Sequence, residues 1–167
     1  MTATTRVITS LYRDRTSGSI VVEDVFATGI DDLWSAVTDP QRLARWLVTV
    51  TGDVTAGSAF GLRFTSGWEG TGEILECTAP TTLRVVTTEV DGDATTLTVT
   101  LTEIPGGTRL RIEEDGLQPG RLHVYGAGWA VHLEDLDAYL ADRPSPPWAT
   151  RWAELSPLMK LLPEVDR

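Results

Sequence analysis

The chain reads as an α+β fold, and three observations carry that reading. A long central stretch alternates with strand period, one long helical pattern follows it, and two short helical patterns precede it. Strands grouped between helices, rather than interleaved with them, favour one antiparallel sheet with its helices on one side over a doubly wound parallel sheet. The long helical pattern runs from Arg121 to Asp142 and carries Leu122, Tyr125, Trp129, Leu133, Leu136 and Leu140. At ~100° per residue these side chains fall in one sector, the mark of a helix laid on an apolar surface.

The first strand is Ile20 to Phe26, rich in Val and Ile after Ser17-Gly18-Ser19. Gly29 then opens a helix in which Asp31 and Asp32 sit at the positive end of the dipole and Ile30, Leu33, Trp34 and Val37 recur at helical spacing. Asp39-Pro40 ends that helix and starts a shorter one with Leu43 and Trp46, because proline suits a first turn and breaks an interior. From Val48 the period alternates. Phe60, Leu62 and Phe64 share one strand face, and the next strand, Glu69 to Cys77, contains Gly70 and Gly72, which predict a bulge or bend and so a curved sheet. Cys77 reads there as a small buried hydrophobe. Thr82 to Val90 follows Ala79-Pro80, and Asp91-Gly92-Asp93 turns the chain into Thr96–Thr102, where Leu97, Val99 and Leu101 oppose a row of threonines. Thr108 to Glu114 points Leu110 and Ile112 inward, giving about six to seven strands in all.

The expected organisation is an N-terminal extension or extra strand (1–18), one domain (19–143) and a tail (144–167). The tail opens with Pro144-Ser145-Pro146-Pro147 and carries Trp148, Trp152, Leu155, Met159 and Leu162 at helical spacing, interrupted by Pro157. Its tryptophans are costly to leave in water. Docking on its own domain, a homodimer contact and a lid over a pocket are the three placements open to it.

With 14 basic against 24 acidic side chains in 167 residues, no basic face exists for nucleic acid, so no nucleic-acid partner is expected. No apolar run approaches the ~20 residues of a membrane span, and the N-terminus lacks a secretory core, which leads to an expectation of cytoplasmic residence without membrane insertion. One cysteine excludes an internal disulfide. His123 and His132 point to opposite sides of one helix, and neither a nucleophile elbow nor a phosphate loop is present. No catalytic residue, metal site or cofactor is therefore assigned.

Several motifs resemble one family. They are Asp32-Leu33-Trp34-Ser35-Ala36-Val37-Thr38-Asp39-Pro40 with Trp46 beyond, Gly72-Glu73-Ile74-Leu75-Glu76 before Pro80, Gly116-Leu117, and Gly128-Trp129 with Leu133, Leu136 and Tyr139-Leu140. In this order and spacing they resemble the START-like SRPBCC (Bet v 1-like) superfamily, in particular its branch similar to Hsp90 ATPase activator homologues. The resemblance covers about Ser19 to Arg143. It implies a helix-grip fold, in which a curved sheet wraps the C-terminal helix around an internal cavity for an apolar small molecule. The branch's pattern carries an aromatic near Thr87 and a histidine near Glu114, and here both differ.

The pocket expected on this basis is lined by Trp34, Trp46, Phe60, Phe64, Trp68, Thr87, Glu114, Tyr125, Trp129, His132, Leu133 and Leu136. Tyr125, His132 and Tyr139, seven residues apart, follow one edge of the helix stripe, with Gly128 leaving room between the first two. That edge is either a cavity wall or a solvated rim. Glu114 has inward parity but stands at a strand end, so it is either buried with a raised pKa or solvated. Three functions remain open: binding of a hydrophobic or aromatic small molecule, cyclase- or aromatase-like proton transfer on a polyketide-like substrate, and a chaperone-associated interaction. The first accounts for a gripping helix without a catalytic constellation.

Overall fold

The computed structural model describes residues 3–167. The chain runs β1 (Ile8–Arg13), β2 (Gly18–Phe26), α1 (Ile30–Thr38), α2 (Pro40–Trp46), β3 (Val48–Thr51), β4 (Phe60–Phe64), β5 (Glu69–Thr78), β6 (Thr82–Glu89), β7 (Ala94–Ile104), β8 (Gly107–Leu117), α3 (Leu122–Leu140), α4 (Trp148–Lys160) and β9 (Glu164–Asp166). Among the described residues, all nine strands join one sheet in the order β3-β4-β5-β6-β7-β8-β2-β1-β9, antiparallel except for the parallel pair β1 and β9. The fold is α+β with a long gripped helix. The sheet exceeds the six to seven strands expected because β1 and β9, from the N-terminal segment and the tail, extend it beyond β2.

Local chemistry sets the elements around the site. Asp39 accepts from the Gln41 backbone N–H at 2.9 Å and Pro40 occupies the first turn of α2, so one residue both ends α1 and caps α2. Trp46 then donates its indole N–H to Ala36 O at 3.0 Å, locking the helices together.

Gly70 and Gly72 act differently from the expectation. The β5 bulge falls later, between Ile74 and Glu76, and the glycines instead make room. A Cβ on Gly72 would lie 2.6 Å from the Phe60 ring, and one on Gly70 would collide with Thr88 O. Cys77 is exposed rather than buried, because the last four residues of β5 run past the edge of the core.

On α3, the predicted stripe residues Leu122, Leu133 and Leu136 are wholly buried and pack against the sheet side of the core. The opposite side of the helix is also buried, through Gly126, Ala127, Ala130 and Val131. A single apolar stripe therefore understates α3, which packs against the sheet, β1 and β2 included, and is covered elsewhere by α4.

The tail folds back onto its own domain. Leu155 and Met159 are buried, Trp152 donates to Val124 O at 3.2 Å, and Arg151 forks onto Glu134 at 2.7 and 2.9 Å. α4 runs unbroken through Pro157, which faces solvent and forgoes one backbone bond while its neighbours hold the helix down. Arg167 pairs with Glu113 at 2.9 Å and lies 3.9 Å above the Tyr12 ring, strapping the chain end to the sheet.

These contacts make tail and domain one cooperative unit. Leu136→Ala and Leu155→Ala, each emptying a fully buried site, are expected to cost ~2–5 kcal/mol apiece. Urea unfolding followed by circular dichroism should show one transition for both; a separate early transition for Leu155→Ala would refute the single unit.

Candidate ligand-binding site

Between α3 and the sheet the packing does not close. A cavity of about 350 Å³ lies under the N-terminal half of α3, lined by Phe64, Ser66, Trp68, Thr87, Glu89, Leu97, Glu114, Arg121, Val124, Tyr125, Gly128, Trp129, His132, Trp148 and Trp152. A polar vestibule, bounded by Glu89, Asp91, Asp93, Gln118 and Arg121, adjoins it at the β6–β7 turn. Beyond it, between α2 and the sheet, a second, inner cavity of about 310 Å³ is walled by aliphatic side chains together with Trp46 and Phe60, with the exposed Val54 and Cys77 at its rim.

Of the twelve residues expected at the pocket, Phe64, Trp68, Thr87, Glu114, Tyr125, Trp129 and His132 line the outer cavity, while Trp46 and Phe60 line the inner one. Leu133 and Leu136 are solid core, and Trp34 packs on the core without lining either cavity. Along the tyrosine–histidine edge of α3, Tyr125 and His132 reach the outer cavity, whereas Tyr139 accepts from Arg42 Nε at 2.9 Å away from it.

The aromatic rings touch in sequence. Phe64 meets Trp68 and Trp129 edge-on at 5.3 and 6.2 Å, Trp129 meets His132 at 5.5 Å, and His132 meets Trp148 at 5.6 Å. Trp148 and Trp152 stack at 6.4 Å. These two tail residues are the wall that the family motifs did not reveal; the only sequence signal for them was the cost of exposed tryptophan.

A polar bridge crosses this aromatic lining. Glu114 is 6% exposed, accepts from Trp129 Nε1 at 2.7 Å and from the Thr95 hydroxyl at 2.9 Å, and Thr95 meets Thr87 at 3.0 Å. Burial raises the Glu114 pKa, and the two donors only partly offset that. His132 is 4% exposed, its Nδ1 has no partner among the described residues, and burial pulls its pKa from 6.5 down to about 3. It is a neutral imidazole at physiological pH. The Trp148 indole N–H, across the ring contact, is also without a partner. Together these groups can grip a flat apolar molecule and offer it a few hydrogen bonds.

A curved sheet closed on one long helix, with an aromatic-walled cavity between them, defines a START-like helix-grip protein of the SRPBCC superfamily. Within it, residues 27–141 match the family described as "Activator of Hsp90 ATPase homolog 1-like protein", and the chain belongs to that family. The tail that supplies Trp148 and Trp152 lies outside the match. Among solved structures, CalU16 from Micromonospora echinospora is similar over 94% of this chain and 98% of its own, with 25% identity and a TM-score of 0.77. MLL2253 from Mesorhizobium loti is 27% identical over 75% of this chain and 98% of its own, with a TM-score of 0.66. DynU16, a protein in the dynemicin biosynthetic locus, shares the fold at 24% identity and a TM-score of 0.69 over 76% of this chain and 49% of its own. Curated proteins show no match to the chain.

The buried histidine makes stability depend on pH. Below 6.5 the unfolded chain binds a proton that folded His132 refuses until about pH 3, so its contribution is complete above 6.5 and is lost as pH falls between those values. Relative to a His132→Gln variant, the parent should lose up to ~1.4 kcal/mol per pH unit in that window. Asp135, raised to about 6 by burial, works in the opposite sense over part of it, so the difference between variant and parent is the quantity to measure by urea unfolding. A difference that stays constant with pH would contradict a buried neutral His132.

Proposed function

We propose that this protein binds a hydrophobic or aromatic small molecule in the cavity between its sheet and α3, and that it does so in the cytoplasm. The observation that carries this reading is the outer cavity itself, walled by six aromatic rings and His132 with few polar groups among them. That make-up is the usual one for a small-molecule site. Among the described residues no helix is long and apolar enough to cross a membrane. For the tail we propose docking on its own domain, since Leu155 and Met159 are already buried there and are not available to a second copy.

An enzyme of the cyclase or aromatase kind is the second reading, favoured by one specific observation: Glu114 and His132 both line the cavity. A buried carboxyl whose pKa is raised and a neutral imidazole are suited to moving protons on a bound polyketide-like substrate. Both Glu114 oxygens are engaged by Trp129 and Thr95, however, which supports binding over turnover. A chaperone partner rests on family likeness alone.

The test uses N-phenyl-1-naphthylamine, a neutral fluorophore that brightens in apolar surroundings. The protein should bind it, and Gly128→Leu should weaken binding at least roughly tenfold. Gly128 lines the cavity, and leucine is a better helix former, so the variant should fold. Absence of fluorophore binding, together with no co-purified small molecule in native mass spectrometry, would overturn the reading.

A further inference from the structure

The outer and inner cavities are of similar size and share one partition, made by Phe64, Thr87, Leu97 and Trp129. Their linings differ in chemistry. Glu89, Glu114, Arg121, Tyr125 and His132 all belong to the outer cavity, whereas the inner cavity's only ionisable group is Cys77. Val50, Leu62, Ile74, Val85 and Val99 make the inner wall aliphatic. The partition is thin, an edge-on contact between Phe64 and Trp129 at 6.2 Å. Phe64 is half-buried at the end of β4, whereas Trp129 is 7% exposed and tied to Glu114, so Phe64 is the less constrained side of that contact.

We infer that the ligand is bipartite: a flat aromatic head with a neutral hydroxyl in the outer cavity, and an unbranched aliphatic chain passing the Phe64–Trp129 contact into the inner one. This deepens, and rests on, the proposed binding function. Aromatic faces in the outer wall suit a ring, and an aliphatic pocket with no fixed charge suits only hydrocarbon. Charge decides the head group. Arg121 is the one basic side chain in the outer wall, it shares that wall with Glu89, and His132 is neutral, so an anionic head meets no cation beyond Arg121. A hydroxyl, which both donates and accepts, complements the unpartnered His132 Nδ1 and Trp148 N–H in either imidazole tautomer. Both nitrogens are covered at present, and Trp148 sits on the first turn of α4 after the exposed segment 141–147, so a small shift of that turn admits the oxygen.

Isothermal titration with 4-alkylphenols from ethyl to heptyl tests the inference on the full chain. The Kd should fall roughly fourfold per methylene until the inner cavity is full. Val85→Phe and Ile74→Trp, which fill the inner cavity from two sides, should end that gain at a shorter chain and leave the 4-ethylphenol Kd within about twofold. Retained 4-ethylphenol binding also shows that each variant is folded. A Kd independent of chain length, or a series unchanged in both variants, would overturn the bipartite ligand while leaving the outer site intact. Octanoate binding as tightly as the longest phenol would overturn the neutral aromatic head. Failure of every phenol to bind while N-phenyl-1-naphthylamine still binds would overturn this inference alone, whereas failure of both, with no co-purified small molecule, would overturn the proposed function as well.

Discussion

The indole of Trp129 reaches from α3 to the carboxyl of Glu114 on β8 at 2.7 Å, and both side chains are buried. A buried carboxyl is expensive unless its oxygens are occupied, and the cost of abandoning it is larger than the cost of keeping it paired. Thr95 occupies the second oxygen and is itself held by Thr87, so three adjacent strands and the gripped helix are tied by one polar chain. An apolar pair at this place would let α3 settle onto the sheet. The polar bridge sets a stand-off instead, with Glu114 facing the outer cavity and Thr87 and Trp129 bordering both.

That stand-off is balanced by tight packing elsewhere. Toward its C-terminal half α3 is clamped by Leu133 and Leu136 against the sheet, and its other face is covered by α4. The helix is thus rigid at one end and propped at the other, which places the cavity under its N-terminal half. The glycines of β5 contribute by absence: with no Cβ at Gly72, the Phe60 ring can lie flat across the strand and face the inner cavity.

Much of this was legible in the sequence. The α3 stripe, the Asp39-Pro40 junction and the alternation in β7 each follow from a local period or a local backbone rule, and such rules survive folding. Seven of the expected pocket residues line the outer cavity because strand parity and helical spacing fix which way they point. What escaped the sequence depends on neighbours far along the chain. Leu133 and Leu136 share the stripe with Trp129, and only the tilt of the helix decides which of them sees open space. Cys77 alternates correctly but lies where the strand outruns the core. Trp148 and Trp152 belong to a segment whose partner, the back of α3, gave no separate sign in a helix rich in alanine and glycine there.

The strap formed by β9 bears on the order of folding. Leu11 pairs with Glu164, so this parallel contact closes a loop spanning nearly the whole chain, while every antiparallel neighbour from β3 to β8 is joined by a short connection. Contacts of such long sequence separation form late and tend to be the first to open under native conditions. The edge that loosens first is therefore joined to the helix that carries the cavity's two outer tryptophans. The last contact to settle on folding thus lies next to the helix that completes the outer cavity's wall, while the strands from β3 to β8 are already paired through short connections.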